Sequence, residues 1–198
     1  MIIWINGAFG SGKTSTAFEF NRLLPDSFVY DPENVGYFIR CNAPKEFSHG
    51  DFQDIPLWRE MNYKHIKTML SRYTGTLIIP MTIVNPAYFD EIIGNLREDG
   101  VDVRHFILYA SKDTILRRLR FRASRIFGGD TFAVDSVDRC IYAFDNLITE
   151  EKIDTEHMSV DETVREIARR CGLSLLHDKK TRFRRFLYRA KTLIRYIR

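Results

Sequence analysis

Eight consecutive residues near the start of the chain, Gly7-Ala8-Phe9-Gly10-Ser11-Gly12-Lys13-Thr14, combine three glycines, a lysine and a terminal hydroxyl in the spacing G-x-x-x-x-G-K-[ST]. Each residue type has a task in holding a polyphosphate. Glycines allow backbone N–H groups to turn inward around phosphate oxygens, Lys13 reaches the β and γ phosphates, and Thr14 is placed to ligate Mg²⁺. A helix that starts there adds its positive end. A glycine-rich turn with an exposed lysine would have the same composition, so the flanking context decides. The apolar run Ile2-Ile3-Trp4-Ile5 precedes the loop, and a helical pattern follows it.

A phosphate cradle needs companions. Asp31, in "SFVYDPE", falls where a second strand ends, and ligands of open α/β sheets bind beyond such ends. It is the candidate general base for an attacking hydroxyl or the holder of a Mg²⁺-bound water, with Glu33 as the weaker choice and a turn-forming aspartate before Pro32 as the structural alternative. The stretch "TILRRLRFRASR" carries five arginines, and helical spacing puts Arg118, Arg122 and Arg125 on roughly one face. A solvated basic face accounts for most of them. Phosphoryl transfer uses arginine where negative charge spreads, so Arg118 is assigned to the adenine and Arg122 to a lid.

Residues 40–65 are aromatic and polar, with Phe47, Phe52, Trp58 and Tyr63 among Asp51, Gln53 and Arg59. Lying between the second and third strands, this insert is either where an acceptor molecule is recognised or a partly buried cap on the sheet. Asp31, Arg40, Phe52, Trp58, Arg59 and, from the third strand, Thr82 are the candidate substrate contacts. That strand ends in Pro80-Met81-Thr82 and lacks the acid that many phosphate-loop hydrolases carry there. An Asn-Lys-x-Asp base reader is also missing, which argues against a translational GTPase. Small-molecule kinases need only a cradle, an activating acid and a lid arginine.

The elements that must position these groups alternate between apolar runs and helical patterns, as βαβ units do. Strands are expected at 2–6, 27–33, 75–84, 103–110 and 152–154. Helices are expected at 14–24, at 86–98 behind an Asn85-Pro86 start, from Ser111 onward, and from a capping box at 159–162 to Gly172. The fold expected is a three-layer αβα sandwich around a parallel sheet of about five strands, a P-loop NTPase of the nucleoside and shikimate kinase type.

At 198 residues, 44% hydrophobic and 28% charged, the chain suits one globular domain. Three distant cysteines form neither a disulfide framework nor a metal-binding pair, and the five histidines show no ligand spacing. With no stretch resembling a signal peptide or a spanning helix, a cytoplasmic protein is expected.

The formal net charge of +4 is unevenly placed. Residues 179–198 hold nine Lys or Arg and no acid, which leaves a body of −5 beside a tail of +9. Residues 1–178 are therefore read as the phosphate-loop domain and 179–198 as a basic amphipathic helix. Its stripe of Phe183, Phe186, Leu187, Ala190, Ile194 and Ile197 suits an anionic membrane surface, or packing on the acidic body. Nucleic acid is the weakest partner, because the body is acidic.

The segments "IIWINGAFGSGKT", "VYDPE", "DFQDIPLWR", "IIPMTIV", "EIIGNLREDG" and "ASKDTILRRLR", with the basic end, resemble the ATP-binding tunicamycin resistance protein family over nearly the whole chain. The phosphate loop alone is widely shared, whereas "DFQDIPLWR" together with "PMTIV" is much more specific. The resemblance implies ATP binding, tunicamycin as the bound compound, and a cytoplasmic protein able to associate with membrane through its C-terminal helix. A wider similarity runs to shikimate and chloramphenicol kinases, whose strand-end acid and lid arginines correspond in kind to Asp31 and Arg122. Two activities stay open from sequence: phosphorylation of a tunicamycin hydroxyl, and ATP-gated sequestration of the drug without modification.

Overall fold

The computed structural model describes residues 1–44, 50–120 and 131–177. Its frame is a five-stranded, all-parallel sheet of β1 (Ile2–Gly7), β2 (Ser27–Val29), β3 (Thr76–Pro80), β4 (Val103–Tyr109) and β5 (Glu151–Asp154), in the order β2-β3-β1-β4-β5. Parallel neighbours require crossovers, and helices supply them on both faces. The sheet order reverses at β1, so the loop after β1 opens at the switch point where ligands of such sheets bind.

Alternation along β1 divides the core in two. Ile2 and Trp4 point into one apolar layer, which they share with Leu77, Ile79 and Ile107; Ile3 and Ile5 point into the other, with Ile78, Phe106 and Leu108. The second layer is covered by α1 (Lys13–Leu23), through Ala17 and Phe20, and by α9 (Val160–Cys171), through Val164 and Ile167. The first is covered by α2 (Glu33–Cys41), α3 (Pro56–Leu70), α4 (Pro86–Phe89), α5 (Asn95–Glu98), α6 (Lys112–Arg120), α7 (Thr131–Asp135) and α8 (Val137–Asn146). Each fully buried Ile or Trp of β1 contributes roughly 1.5–3 kcal/mol of hydrophobic burial. The phosphate loop thus leaves a strand packed on both faces.

Helix boundaries follow the expected chemistry. Ser159 and Glu162 close a reciprocal capping box, Asn85 accepts from the Ala87 N–H at 2.9 Å ahead of Pro86, and the Ser111 hydroxyl accepts from the Thr114 N–H at 3.3 Å. Three expectations are corrected. The second strand ends at Val29 rather than at Asp31-Pro32, because the Asp31 carboxylate accepts from the Glu33 N–H at 3.0 Å and Pro32 leads directly into α2. The third strand stops at Pro80, and the Asn6 side chain takes over the pairing beyond it, bonding both the N–H and the carbonyl of Ile83. The helix over 86–98 is interrupted by a π-helical segment, Asp90–Gly94, between α4 and α5. Arg122, Phe47 and the tail 179–198 lie outside the described residues.

Candidate functional site

The loop between β1 and α1 has the backbone that its glycines permit. Gly7, Gly10 and Gly12 have φ of 143°, 83° and 97°. A β-carbon on Gly7 would lie 2.6 Å from the Ser11 hydroxyl and 2.7 Å from the Leu108 carbonyl, so the close approach of β4 also requires glycine there. Gly12 caps α1 without a side-chain acceptor, which leaves the first N–H groups of the helix aimed at the loop. Lys13 reaches back over the loop, its Nζ donating to the carbonyls of Gly7 at 2.9 Å and Ala8 at 3.0 Å. Among the described residues, the buried Ser11 Oγ has no hydrogen-bond partner. Backbone donors, a lysine and an orphaned hydroxyl around one turn fit the oxygens of a nucleotide phosphate, and Thr14, in the first turn of α1, fits a Mg²⁺ ligand.

Two further groups brace the loop. The Thr82 hydroxyl, buried, donates to the Gly7 carbonyl at 2.9 Å. The Phe9 N–H bonds the sulfur of Cys140 on α8, a thiol whose pKa burial pushes up. Phe9 also meets Phe132 edge-on, with ring centroids 5.7 Å apart. The loop is therefore held both by the segment after β3 and by the helices that follow residue 130.

The segment after β3 and α8, which carry those braces, also line a cleft of about 330 Å³, with Asp51, Asp54, Asn85, Tyr88, Arg139 and Tyr142 among its walls. Asp51 starts the short 3-10 turn Phe52–Asp54, its carboxylate accepting from the Gln53 N–H at 3.0 Å. Burial raises its pKa; that hydrogen bond, Arg139 and Arg40 oppose the shift. Asp31 lies elsewhere. With Tyr30, Val35, Phe38, Met61 and His65 it lines a separate groove of about 380 Å³ between α2 and α3.

The candidate substrate contacts separate into two groups. Arg40 stacks over Phe52, its guanidinium carbon 5.2 Å from the ring centroid, donates to the Gly50 carbonyl at 2.6 Å and acts electrostatically on Asp51. Both residues thus sit behind Asp51 and do not themselves line the cleft. Trp58, in contrast, is wholly buried, its indole donating to the Pro32 carbonyl at 3.0 Å and its ring packed 5.4 Å from Phe52. Arg59 is also buried, engaged with Glu91 at 2.6 Å and the Gln53 carbonyl at 2.5 Å, and stacked on Tyr88. Trp58 and Arg59 build the floor under the 51–54 turn, because a rigid indole and a fork of donors satisfy buried carbonyls there. Thr82 likewise supports the loop from below. Arg118 donates to the Thr155 carbonyl at 2.5 Å, tying α6 to the segment after β5.

Sequence reasoning passed over Asn6, Arg139 and Tyr142. A lone asparagine inside an otherwise apolar strand was the available signal for Asn6. Arg139 and Tyr142 become site residues only through the folding of α8 against the loop, and their spacing does not announce it.

A family model described as an AAA domain matches residues 2–139. Among solved structures, the tunicamycin resistance protein of Deinococcus radiodurans is 32% identical, covers 89% of this chain and 98% of its own, and superposes with a TM-score of 0.75. A sugar kinase from Janibacter sp. HTCC2649 is 15% identical over 87% of this chain and 95% of its own, with a TM-score of 0.62. Shikimate kinase from Bacteroides thetaiotaomicron is 18% identical over 87% and 99%, with a TM-score of 0.56. These two share the fold. Among curated proteins, none matches the chain. The phosphate-loop geometry, the sheet order and these likenesses together establish a nucleotide-binding, kinase-like P-loop protein, and the chain belongs to the family of the Deinococcus radiodurans tunicamycin resistance protein.

Proposed function

We propose that the protein is an ATP-dependent phosphotransferase that phosphorylates a hydroxyl of tunicamycin or a related nucleoside antibiotic. The observation that carries this reading is the cradle itself: Lys13, the glycine-shaped backbone and the orphaned Ser11 hydroxyl converge at the switch point of a kinase-type sheet. In the proposed reaction the acceptor oxygen bonds to the γ-phosphorus as the bond to the β–γ bridging oxygen breaks, and ADP leaves. The acceptor proton passes to a carboxylate, a role given to Asp31 by its place after β2. Lys13 steadies the charge on the transferring group, Arg118 and Arg122 are assigned to adenine and lid, and Arg40 and Phe52 to the acceptor. Mg²⁺ held through Thr14 would neutralise the phosphates.

A second reading has its own support. The segment after β3 presents Thr82 to the Gly7 carbonyl where a hydrolase would offer an acid, which suits a protein that binds ATP and drug without transferring phosphate. Tunicamycin-dependent release of ADP, followed in a coupled assay with wild-type protein and Lys13→Ala, separates the two. Drug-dependent turnover that vanishes in the variant supports the enzyme. Tight drug binding without ADP release supports the binder.

We assign the protein to the cytoplasm, with residues 179–198 as a peripheral membrane contact. Their nine cations and apolar stripe support this assignment. Among the described residues, no helix is long and apolar enough to cross a membrane.

A further inference from the structure

The cleft beside the phosphate loop has two walls tied to that loop. Val84 and Asn85 follow Thr82, whose hydroxyl holds the Gly7 carbonyl. Arg139 and Ala143 flank Cys140 on α8, whose sulfur takes the Phe9 N–H. A molecule in the cleft is therefore bounded by the chain neighbours of two residues that support the nucleotide cradle. The third wall is the 51–54 turn, and it brings carboxylates.

Asp51 and Arg139 face each other loosely. The Arg139 nitrogen lies 3.9 Å from an Asp51 oxygen, and the Asp51 side chain is only 16% exposed. An acceptor and a donor side by side at that spacing complement two neighbouring oxygens of a polyol, one giving a proton and the other taking one. Asp54 is already engaged, accepting from the Tyr88 hydroxyl at 2.9 Å. Asp51 and Asp54 are matched by Arg139 and by Arg40, which also acts on Asp51, so the charges around the cleft balance and suit a neutral acceptor. The exposed Tyr142 adds a ring face at the rim, suited to the apolar face of a sugar or to a base.

We propose that this cleft binds the acceptor, and that the acceptor is a neutral polyhydroxylated molecule whose hydroxyl donates to Asp51 while Arg139 donates to an adjoining oxygen. The inference rests on the phosphotransferase reading and adds to it a binding site and two specificity-determining residues. Asp51 Oδ1 accepts from the Gln53 N–H at 3.0 Å, while among the described residues the only hydrogen bond to Oδ2 is a long one of 3.5 Å from the Gln53 side-chain amide, so a ligand hydroxyl supplies Oδ2 with a shorter, stronger hydrogen bond. Asp51 holds the acceptor, and the proton transfer proposed for Asp31 requires that the acceptor extend from this cleft towards the groove that Asp31 lines.

Calorimetric titration with tunicamycin, and separately with ATP, tests the assignment on the wild-type protein, Asp51→Asn and Arg139→Met. Asparagine retains the N-capping oxygen that holds the 51–54 turn, so the first variant keeps the local fold. Loss of a hydrogen bond to a charged group should weaken tunicamycin binding by about tenfold or more in each variant, with ATP affinity within about twofold. Wild-type binding retained unchanged in both variants overturns the cleft assignment alone. Equal loss of ATP and tunicamycin affinity also overturns it, since the residues would then be supporting the loop. Absence of tunicamycin binding by wild-type protein overturns the drug reading, and the cleft assignment with it.

Discussion

The side-chain amide nitrogen of Asn6 lies 3.2 Å from Nε2 of His105, and the rest of that amide clamps the start of the phosphate loop. Its oxygen accepts from the Gly7 N–H at 2.8 Å and the Ile83 N–H at 3.0 Å, and its nitrogen donates to the Ile83 carbonyl at 2.8 Å. For Nε2 to accept from Asn6, His105 must be neutral. Burial lowers its pKa to about 3, while Glu150, 3.6 Å from Nδ1, pulls upward and Arg97 pulls down. The ring of Phe89 closes the remaining side, with centroids 5.1 Å apart.

The sign of the resulting pH dependence follows directly. Below the ordinary histidine value of 6.5 the unfolded chain takes up a proton that the native protein refuses until about pH 3. Stability is therefore full above 6.5 and falls as pH is lowered through this interval, by at most about 1.4 kcal/mol per pH unit. His105→Gln keeps an acceptor for Asn6 and removes the titration. Urea unfolding midpoints measured from neutral into the acid range should fall less steeply in this variant than in wild type.

The bond from Thr82 to the Gly7 carbonyl predicts a different effect. Thr82→Val keeps the side-chain shape and deletes the donor while the Gly7 carbonyl retains Lys13, so unfolding free energy should drop by ~0.5–1.5 kcal/mol. Nucleotide affinity should drop as well, because the Gly7 carbonyl also receives Lys13. Urea titration and ATP binding on the same preparation check both. Unchanged ATP affinity in a destabilised variant would confine Thr82 to the core.

Much of this arrangement could be read from local chemistry. The apolar run, the glycine spacing and the helix after it fix the cradle, because each residue's task is performed by its neighbours in sequence. Asn85-Pro86 and the Ser159–Glu162 box fix helix starts for the same reason. Trp58 and Arg59 were open to two readings because an aromatic and a cation look alike whether they face a ligand or a buried carbonyl. Only the packing of α3 beneath Pro32 and Gln53 decides. Asp31 stood at a strand end in sequence, yet its bond to the Glu33 N–H ends β2 early and sets it in the groove between α2 and α3. The Asp51–Arg139 pair joins residues far apart in the chain, and proximity of that kind comes from the tertiary fold.

The basic tail carries a separate expectation. Deleting residues 179–198 should release the protein from anionic vesicles and leave ATP binding intact, because the cradle draws on residues 6–14, 82 and 140. Sedimentation with vesicles at low salt reads the first effect, and an ATP titration the second. Equal pelleting of both forms would make the tail a packing helix.

The central claim is transfer of a phosphoryl group to the drug, and mass spectrometry of tunicamycin after incubation with the protein, ATP and Mg²⁺ tests it most directly. A product heavier by one phosphoryl group is expected with wild-type protein, together with its loss in Lys13→Ala and a strong reduction in Asp31→Asn. Recovery of unmodified tunicamycin from wild-type protein that binds both ATP and the drug would contradict the claim.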